Sequence, residues 1–185
     1  MPLYNTPADI AQLKFIKENL SGIIIQAIAG SIYTEDWIAA IAKRETGQLM
    51  LKKFNQGIKP PELWKAMLGD FSQRRGETKP RYHGFGVFQI DIASYPAFCA
   101  GTDWQDPLKC CLMAIRVLNS KQQFLSSHTA LTGESLFKGI TAAYNTGEGN
   151  VRNSVNKGIP VDTTTAGGDY STAVWAFREI YTQLP

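Results

Sequence analysis

A carboxylate on the apolar face of a short helix is the feature that most constrains this chain. Ile38, Ile41, Ala42 and Glu45 recur at the spacing i, i+3, i+4, i+7, which predicts one face of a helix over residues 37–45. A face this apolar has to pack against the core. Glu45 is therefore expected at the edge of the core, where an unpaired charge is costly.

The predicted surroundings of Glu45 point to acid chemistry. Burial and the negative end of the helix dipole would both raise the pKa of its carboxyl group, if the helix stops at Gly47 as the glycine predicts. A carboxyl group that stays protonated near neutral pH can serve as a general acid. The alternative is an ordinary glutamate that reaches solvent at a frayed helix end.

Most of the remaining chain also has helical periodicity, with turn signals between the helices. Thr6-Pro7 and Thr34 are typical helix starts, and Ser21 is expected to begin a second short helix that ends near Ala29. Residues 61–68, 106–118, 136–145 and 169–184 follow the helical pattern, with Leu112 on the inward face of the second of these segments. Glycines beside aromatic and β-branched residues predict a short strand or hairpin over residues 82–91. The expected fold class is mainly α, an α+β arrangement with a small β-hairpin or sheet.

Length and composition favour one globular domain over residues 1–185. The chain is 44% hydrophobic and 19% charged, and its net charge of +3 is too small to argue for nucleic-acid binding. The longest apolar run, residues 23–29, is too short to span a bilayer. Residues 1–7 lack the pattern of a signal peptide, so either this segment does not direct export or the chain is a mature or excised domain. Three cysteines, Cys99, Cys110 and Cys111, leave a disulfide from Cys99 to either neighbour open, and no metal-binding spacing of Cys and His is present.

Positive charge is concentrated in the middle of the chain. Residues 43–81 hold ten Lys or Arg against four acids, out of 19 basic residues in all. An anionic polymer is a plausible partner for this segment, although a solvated loop is the ordinary interpretation. Within it, Trp64 either stacks on a ligand or packs down on the domain together with Met67.

Three short motifs occur in a fixed order along this helical pattern. They are Arg44-Glu-Thr-Gly47, Gly84-Phe-Gly-Val-Phe-Gln-Ile-Asp91 and Ala142-Ala-Tyr-Asn-Thr-Gly-Glu-Gly-Asn-Val151. Together with Gly168-Asp-Tyr170 they resemble goose-type lysozymes and the related lytic transglycosylases, over roughly residues 8–182. The resemblance implies a lysozyme-like catalytic domain, in which residues 48–82 form an unusually long basic insertion.

The resemblance also implies roles for individual residues. Glu45 matches the general acid of the family, and Asp91 matches a carboxylate that positions or activates water. Gln89 matches a residue of the cleft floor, Tyr144 and Asn145 match a pair beside the scissile sugar, and Tyr170 matches a tyrosine that approaches the catalytic glutamate. His83 is assigned to substrate binding with them. Four of these residues also have a structural alternative: a helix cap or turn residue for Asp91, a satisfied strand amide for Gln89, a helix cap for Asn145 and core packing for Tyr170. Gly147 and Gly149 are expected to permit positive φ in a tight turn.

One part of the family pattern is missing. The family often has a second acid shortly before its Gly-x-Gly strand, whereas residues 79–83 read Lys-Pro-Arg-Tyr-His. Glu77 is the nearest acid but is out of register. The identity of the group that activates water is therefore open.

The expected function is a muramidase that cleaves the β-1,4 bond between N-acetylmuramic acid and N-acetylglucosamine in peptidoglycan, with inversion. Chitooligosaccharides are expected as further ligands. We expect a bacteriolytic monomer that needs no cofactor or metal, has no nucleic-acid partner and acts on the cell wall in an extracellular or periplasmic location. The alternatives are a lytic transglycosylase, which would give an anhydromuramyl product, and a non-catalytic module that binds wall or chitin.

Overall fold

The computed structural model describes residues 4–185, and the signal-peptide interpretation of residues 1–7 lies partly outside that range. The described residues form nine α-helices and one small sheet. The helices are α1 Pro7–Ile28, α2 Glu35–Ala42, α3 Gln48–Asn55, α4 Glu62–Lys65, α5 Pro96–Ala100, α6 Pro107–His128, α7 Gly133–Thr146, α8 Glu148–Asn156 and α9 Tyr170–Gln183. The strands β1 Leu68–Ser72, β2 Arg81–Phe85 and β3 Ile90–Asp91 pair antiparallel in the order β1-β2-β3. The predicted fold class, mainly helical with a small sheet, is confirmed.

Helix α2 lies at the centre of the molecule. All six residues from Trp37 to Ala42 are at most 1% exposed, because α1 packs on one side of the helix and α9 on the other. The Trp37 indole donates a hydrogen bond to the Thr141 hydroxyl of α7 at 2.9 Å, which satisfies its polar edge inside the core. The helix that leads to Glu45 is therefore fixed from three directions.

Two expectations about helix boundaries were wrong, and a third, the start of α2 at Thr34, was correct in position. α1 is one continuous helix, and Ser21, predicted to start a second one, donates its hydroxyl to Glu35 at 2.6 Å instead. Thr34 precedes α2, but its side chain makes no capping hydrogen bond. Gly47 does not end the helix, which continues as α3 to Asn55.

The predicted insertion, residues 48–82, contains regular structure and buried side chains. It contributes α3, α4 and β1, and its Leu63, Trp64 and Met67 are buried in the core. Trp64 therefore packs down on the domain. The segment is therefore partly built into the core, whereas most of residues 73–80 form an exposed connection.

The remaining expectations about elements were partly correct. Asp106 accepts hydrogen bonds from the first amides of α6, as the Asp106-Pro107 start predicted, but Leu112 of that helix is 48% exposed and does not face inward. Gly147 has a φ of +87° and ends α7, whereas Gly149 lies inside α8, a helix the sequence did not predict. All three cysteines are buried free thiols, so neither possible disulfide is present. No helix in residues 4–185 is long and apolar enough to cross a membrane.

Candidate functional site

Glu45 lies in a π-helical turn, Lys43–Gly47, between α2 and α3. Such turns occur mostly as single insertions in α-helices and are common at functional sites. Thr46 in the same turn donates its hydroxyl to the Val87 carbonyl at 2.6 Å, which ties the helix to the connection between β2 and β3. Glycine suits position 47 because a Cβ atom there would lie only 3.0 Å from the side-chain oxygen of Gln12 in α1. Glu45 is therefore in the middle of a helical segment, and the predicted contribution of a helix end to its pKa is wrong.

Burial is the cause of the raised pKa of Glu45. It raises the pKa of the carboxyl group to about 7, against the opposing effects of a hydrogen bond from Tyr170 and the positive charge of Arg44. The Tyr170 hydroxyl donates to Oε1 of Glu45. Within the described residues no other side chain bonds this carboxyl group, so Oε2 is available for a transferable proton. Glu45 can hold a proton at neutral pH and deliver it into the cleft.

Tyr170 is held in place by the start of α9. The buried carboxylate of Asp162 accepts from the amides of Ser171 at 2.7 Å and Thr172 at 3.0 Å, and also from their hydroxyls. A carboxylate at a helix N-terminus is favourable because it satisfies free amides and the helix dipole. Burial and the nearby Glu45 raise the pKa of Tyr170 well above its ordinary value, so its hydroxyl remains a donor.

Arg44 holds the other side of this arrangement. Its guanidinium donates to Asp169 at 2.8 Å and lies 5.5 Å from the centre of the Tyr170 ring. Asp169 also accepts from the Tyr4 hydroxyl at 2.8 Å. The positive charge of Arg44 is therefore held in place by the carboxylate of Asp169, the residue that precedes α9.

The sheet forms the wall of the cleft beside Glu45. Gln89 has a φ of +48°, which is uncommon for a residue other than glycine, and its side-chain amide donates to the Gly86 carbonyl at 2.9 Å. Its oxygen lies 2.0 Å from the place a Cβ would take at Gly69 and 2.3 Å from that place at Gly84. Glycine is required at both positions of this strand pair so that Gln89 can lie flat on the sheet. Gln89 thus lines the cleft, and its amide is also satisfied by the backbone.

Asp91 lies on the same wall, directly across the ladder from Gly84. Its carboxylate accepts from Arg74 at 2.5 Å and from the backbone amide of Ser94 at 3.1 Å. Arg74 also donates to Asp70 at 2.9 Å, and this hydrogen bond holds the pKa of Asp70 below its usual value. Asp91 is therefore both a turn residue and a cleft carboxylate, and Arg74 links it to a second acid.

The structure gives His83 and Glu77 supporting roles. The His83 ring is completely buried, contacts the Glu77 carboxylate at 2.9 Å and lies 3.0 Å from the Asp70 carbonyl. His83 belongs to the cleft wall, but its ring is buried against Glu77 and the Asp70 carbonyl, so its role in substrate binding stays a prediction. The Glu77 pKa falls to about 2, through hydrogen bonds from the Arg74 amide first and then from His83 and Arg81. Glu77 is an ion that secures the hairpin between β1 and β2.

The segment around Tyr144 and Asn145 forms the opposite side of the cleft. The Tyr144 hydroxyl donates to the Phe88 carbonyl at 2.7 Å, and burial raises its pKa well above the ordinary value. Asn145 accepts from the Ala166 amide at 2.8 Å, which joins α7 to the segment before α9. Asn145 lies within α7, so it does not cap the helix as the structural alternative supposed.

These walls enclose a cleft of about 460 Å³, within the range of small-ligand sites. Glu45, Gln89, Asp91, Tyr144 and Asn145 all line it, and Tyr170 reaches it through Glu45. Sequence reasoning did not assign six polar residues of this lining to the site, namely Asp70, Arg74, Ser94, Tyr95, Lys121 and Thr146. Asp70 and Arg74 had a usable signal, because Gly69-Asp-Phe71 and Tyr82-His-Gly84 mirror each other and so predict paired strands. Tyr95 and Lys121 had none.

No three His, Cys, Asp or Glu side chains in residues 4–185 come together in a way that could hold a metal ion. Comparison of the chain with protein-family models gave no match, and neither did comparison with curated proteins.

Proposed function

We propose that this chain is a glycoside hydrolase that cleaves the β-1,4 bond between N-acetylmuramic acid and N-acetylglucosamine in peptidoglycan. The observation that carries the proposal is Glu45, an acid with a pKa near 7 at the foot of a polar cleft. Cleavage of a glycosidic bond needs such an acid because the leaving alkoxide is poor. The order of the motifs around Glu45, Asp91, Tyr144 and Tyr170, which resembles goose-type lysozymes, favours peptidoglycan as the glycan.

The proposed reaction starts with protonated Glu45. Oε2 gives its proton to the glycosidic oxygen as the bond from that oxygen to the anomeric carbon breaks, and the Tyr170 hydroxyl stabilises the carboxylate that remains. Positive charge develops on the sugar ring. Water then attacks the anomeric carbon from the opposite face and loses a proton to a carboxylate, for which Asp91 is the candidate. Attack from that face inverts the anomeric configuration.

A lytic transglycosylase is the second candidate, and the pairing of Asp91 favours it. The Arg74 guanidinium engages the carboxylate that would serve water, at 2.5 Å. A transglycosylase needs no such water, because the 6-hydroxyl of the muramic acid residue attacks the anomeric carbon, gives its proton to the Glu45 carboxylate and closes an anhydro ring. In both reactions Glu45 is the acid, and the chain acts on cell wall in an extracellular or periplasmic location.

Digestion of purified peptidoglycan followed by mass spectrometry of the soluble fragments tests these proposals. Fragments with reducing ends support the hydrolase, and fragments with anhydromuramyl ends support the transglycosylase. Binding to the wall with no soluble fragment would contradict both and would indicate a non-catalytic wall-binding module.

A further inference from the structure

Two aromatic side chains on the β-hairpin are unusually exposed. Phe71 of β1 is 62% exposed and Tyr82 of β2 is 41% exposed. Among the large apolar side chains that are exposed in the described residues, these two are the aromatic ones. The two residues are paired across the ladder, with ring centres 4.8 Å apart. Such pairs stabilise a hairpin. Stabilisation of the hairpin does not explain why both rings face solvent.

Strand geometry places this pair on the wall of the cleft. Side chains alternate between the two faces of a strand, so Tyr82 and Gly84 of β2 share a face. Gln89 lies against that face at Gly84 and Gly69, and Asp91 pairs with Gly84. Tyr82 is two residues from Gly84 on β2, about 7 Å away at the usual rise per residue, and Phe71 of β1 pairs with Tyr82. The aromatic pair therefore continues the cleft wall beyond Gln89.

The hairpin that carries the pair is held in one shape. Glu77, in the connection between β1 and β2, accepts from the Arg74 amide at 2.8 Å, from Arg81 at 2.7 Å and contacts the buried His83. Gln73 donates to the Glu77 carbonyl at 2.7 Å. A surface that is fixed before binding loses little conformational entropy when a ligand arrives. The buried His83 and Glu77 thus pre-organise the exposed rings.

Charge at the hairpin tip suits an anionic glycan. Arg74 and Arg81 are engaged by carboxylates, whereas Arg75 and Lys79 form no ion pair with residues 4–185. Both lie in the connection between the two strands. A glycan that carries carboxylate groups would therefore meet free positive charge next to the aromatic pair.

We propose that Phe71 and Tyr82 form a saccharide-binding subsite, on which a pyranose ring of the glycan stacks outside the central cleft. A pyranose ring presents a face of C–H groups, and an aromatic ring of matching size can cover that face. This inference rests on the proposed function, because it extends the same cleft along the same strand. Binding energy from remote sugars would then favour long chains over short ones.

Binding of chitooligosaccharides of different length to the Glu45→Gln chain tests the subsite without turnover. Phe71→Leu keeps apolar volume but removes the ring, Tyr82→Phe keeps the ring, and Ile25→Ala removes an exposed apolar side chain from α1. We expect Phe71→Leu and Tyr82→Ala each to weaken binding of the hexasaccharide roughly two- to tenfold, the range for an aromatic contact. The trisaccharide, Tyr82→Phe and Ile25→Ala should show no comparable loss. Aromatic NMR signals of Phe71 and Tyr82 should shift only with the longer ligand.

The outcomes separate the two proposals. If wild type cleaves peptidoglycan but Phe71→Leu and Tyr82→Ala bind the hexasaccharide as the Glu45→Gln parent does, the subsite is wrong and the proposed function stands. If those variants only lower the thermal midpoint, the pair is structural and the subsite is again wrong. If the wild-type chain neither cleaves walls nor binds any of these sugars, both proposals fail.

Discussion

At the scale of single residues, the protonation of Glu45 depends on a balance between burial and two neighbours. Burial raises its pKa, while the Tyr170 hydroxyl and the Arg44 charge lower it. The net value of about 7 means that the acid is protonated below neutral pH and ionised above it. If Glu45 is the general acid, activity should therefore decline as pH rises through about 7.

Removal of the Tyr170 hydroxyl should move that decline. Tyr170→Phe deletes the hydrogen bond that stabilises the Glu45 carboxylate, so the pKa of Glu45 should rise and the alkaline limb of kcat/KM should shift to higher pH. Tyr181→Phe is the matched control. Tyr181 is another buried tyrosine of α9, and its hydroxyl donates to Glu35 of α2, away from the cleft. An alkaline limb that stays in place in Tyr170→Phe would show that another group sets it.

The two acids joined by Arg74 can be separated by amide substitution. If Asp91 receives the proton of the attacking water, Asp91→Asn should lower hydrolysis by roughly two to four orders of magnitude, the usual contribution of a general base. Asp70→Asn, which changes the other partner of Arg74, should lose less than about tenfold. Mass spectrometry of the fragments should show a larger share of anhydro ends in Asp91→Asn. Release of reducing-end fragments at the wild-type rate by that variant would make Asp91 structural and Asp70 the better candidate.

At the scale of elements, the π-helical turn carries Glu45 into the cleft. Thr46 anchors that turn to the sheet through the Val87 carbonyl. The anchor is buried, so loss of the hydroxyl leaves a carbonyl without its partner.

Thr46→Val should therefore cost about 1 to 3 kcal/mol of unfolding free energy and lower kcat as Glu45 loses its position. Thr46→Ser retains the hydroxyl and should stay close to wild type in both measurements. Urea unfolding and steady-state kinetics of the two variants check this. If Thr46→Val is stable and fully active, the turn does not depend on its anchor.

Two elements show what local sequence patterns did not predict. Gly47 was predicted to stop a helix because glycine often does so, but here it serves a close contact with Gln12 of α1, a residue 35 positions away. β1 was missed because Gly69 and Asp70 are turn-like residues, and Asp70 indeed has a φ of +50°. β1 is a strand because it pairs with β2, and this pairing cannot be predicted from the local propensities of its residues.

At the scale of the whole molecule, positive charge should govern binding to the wall. Five of the ten basic residues in 43–81 are paired with acids, namely Lys43, Arg44, Lys65, Arg74 and Arg81. The other five, Lys52, Lys53, Lys59, Arg75 and Lys79, form no ion pair within the described residues. They can attract an anionic polymer through forces that salt screens.

Binding to whole peptidoglycan should therefore weaken steeply as salt is added, while cleavage of a short neutral chitooligosaccharide should not. A sedimentation assay and a fluorogenic oligosaccharide, measured over the same salt series, provide the comparison. Equal salt responses in the two assays would mean that these cations are only a solvated surface.

The sequence located the acid and its partner tyrosine, but not the whole cleft. Glu45 and Tyr170 were found because they lie in short motifs of distinctive composition, and the structure joins them by a hydrogen bond. Lys121 and Tyr95 were not found, because each enters the cleft only through the packing of elements distant in sequence. The complete burial of His83 against Glu77 was not predicted, because Glu77 reaches the ring only through the folded hairpin.

The central claim is that Glu45 supplies the proton, and Glu45→Gln must be shown to fold before it is used. The folded pKa of about 7 lies above the unfolded value of about 4.5, so the wild type loses stability as pH rises between these values. Glutamine carries no charge at any pH. The variant should match the wild type in unfolding free energy near pH 4 and exceed it by about 3 kcal/mol near pH 8.

The most direct measurement is then the rate at which wild type and Glu45→Gln release soluble fragments from purified peptidoglycan at about pH 6, where Glu45 is mostly protonated. The variant keeps the shape of the side chain and lacks the transferable proton. We predict a rate lower by roughly two to four orders of magnitude, with wall binding unchanged. Release of fragments by Glu45→Gln at the wild-type rate would contradict the account.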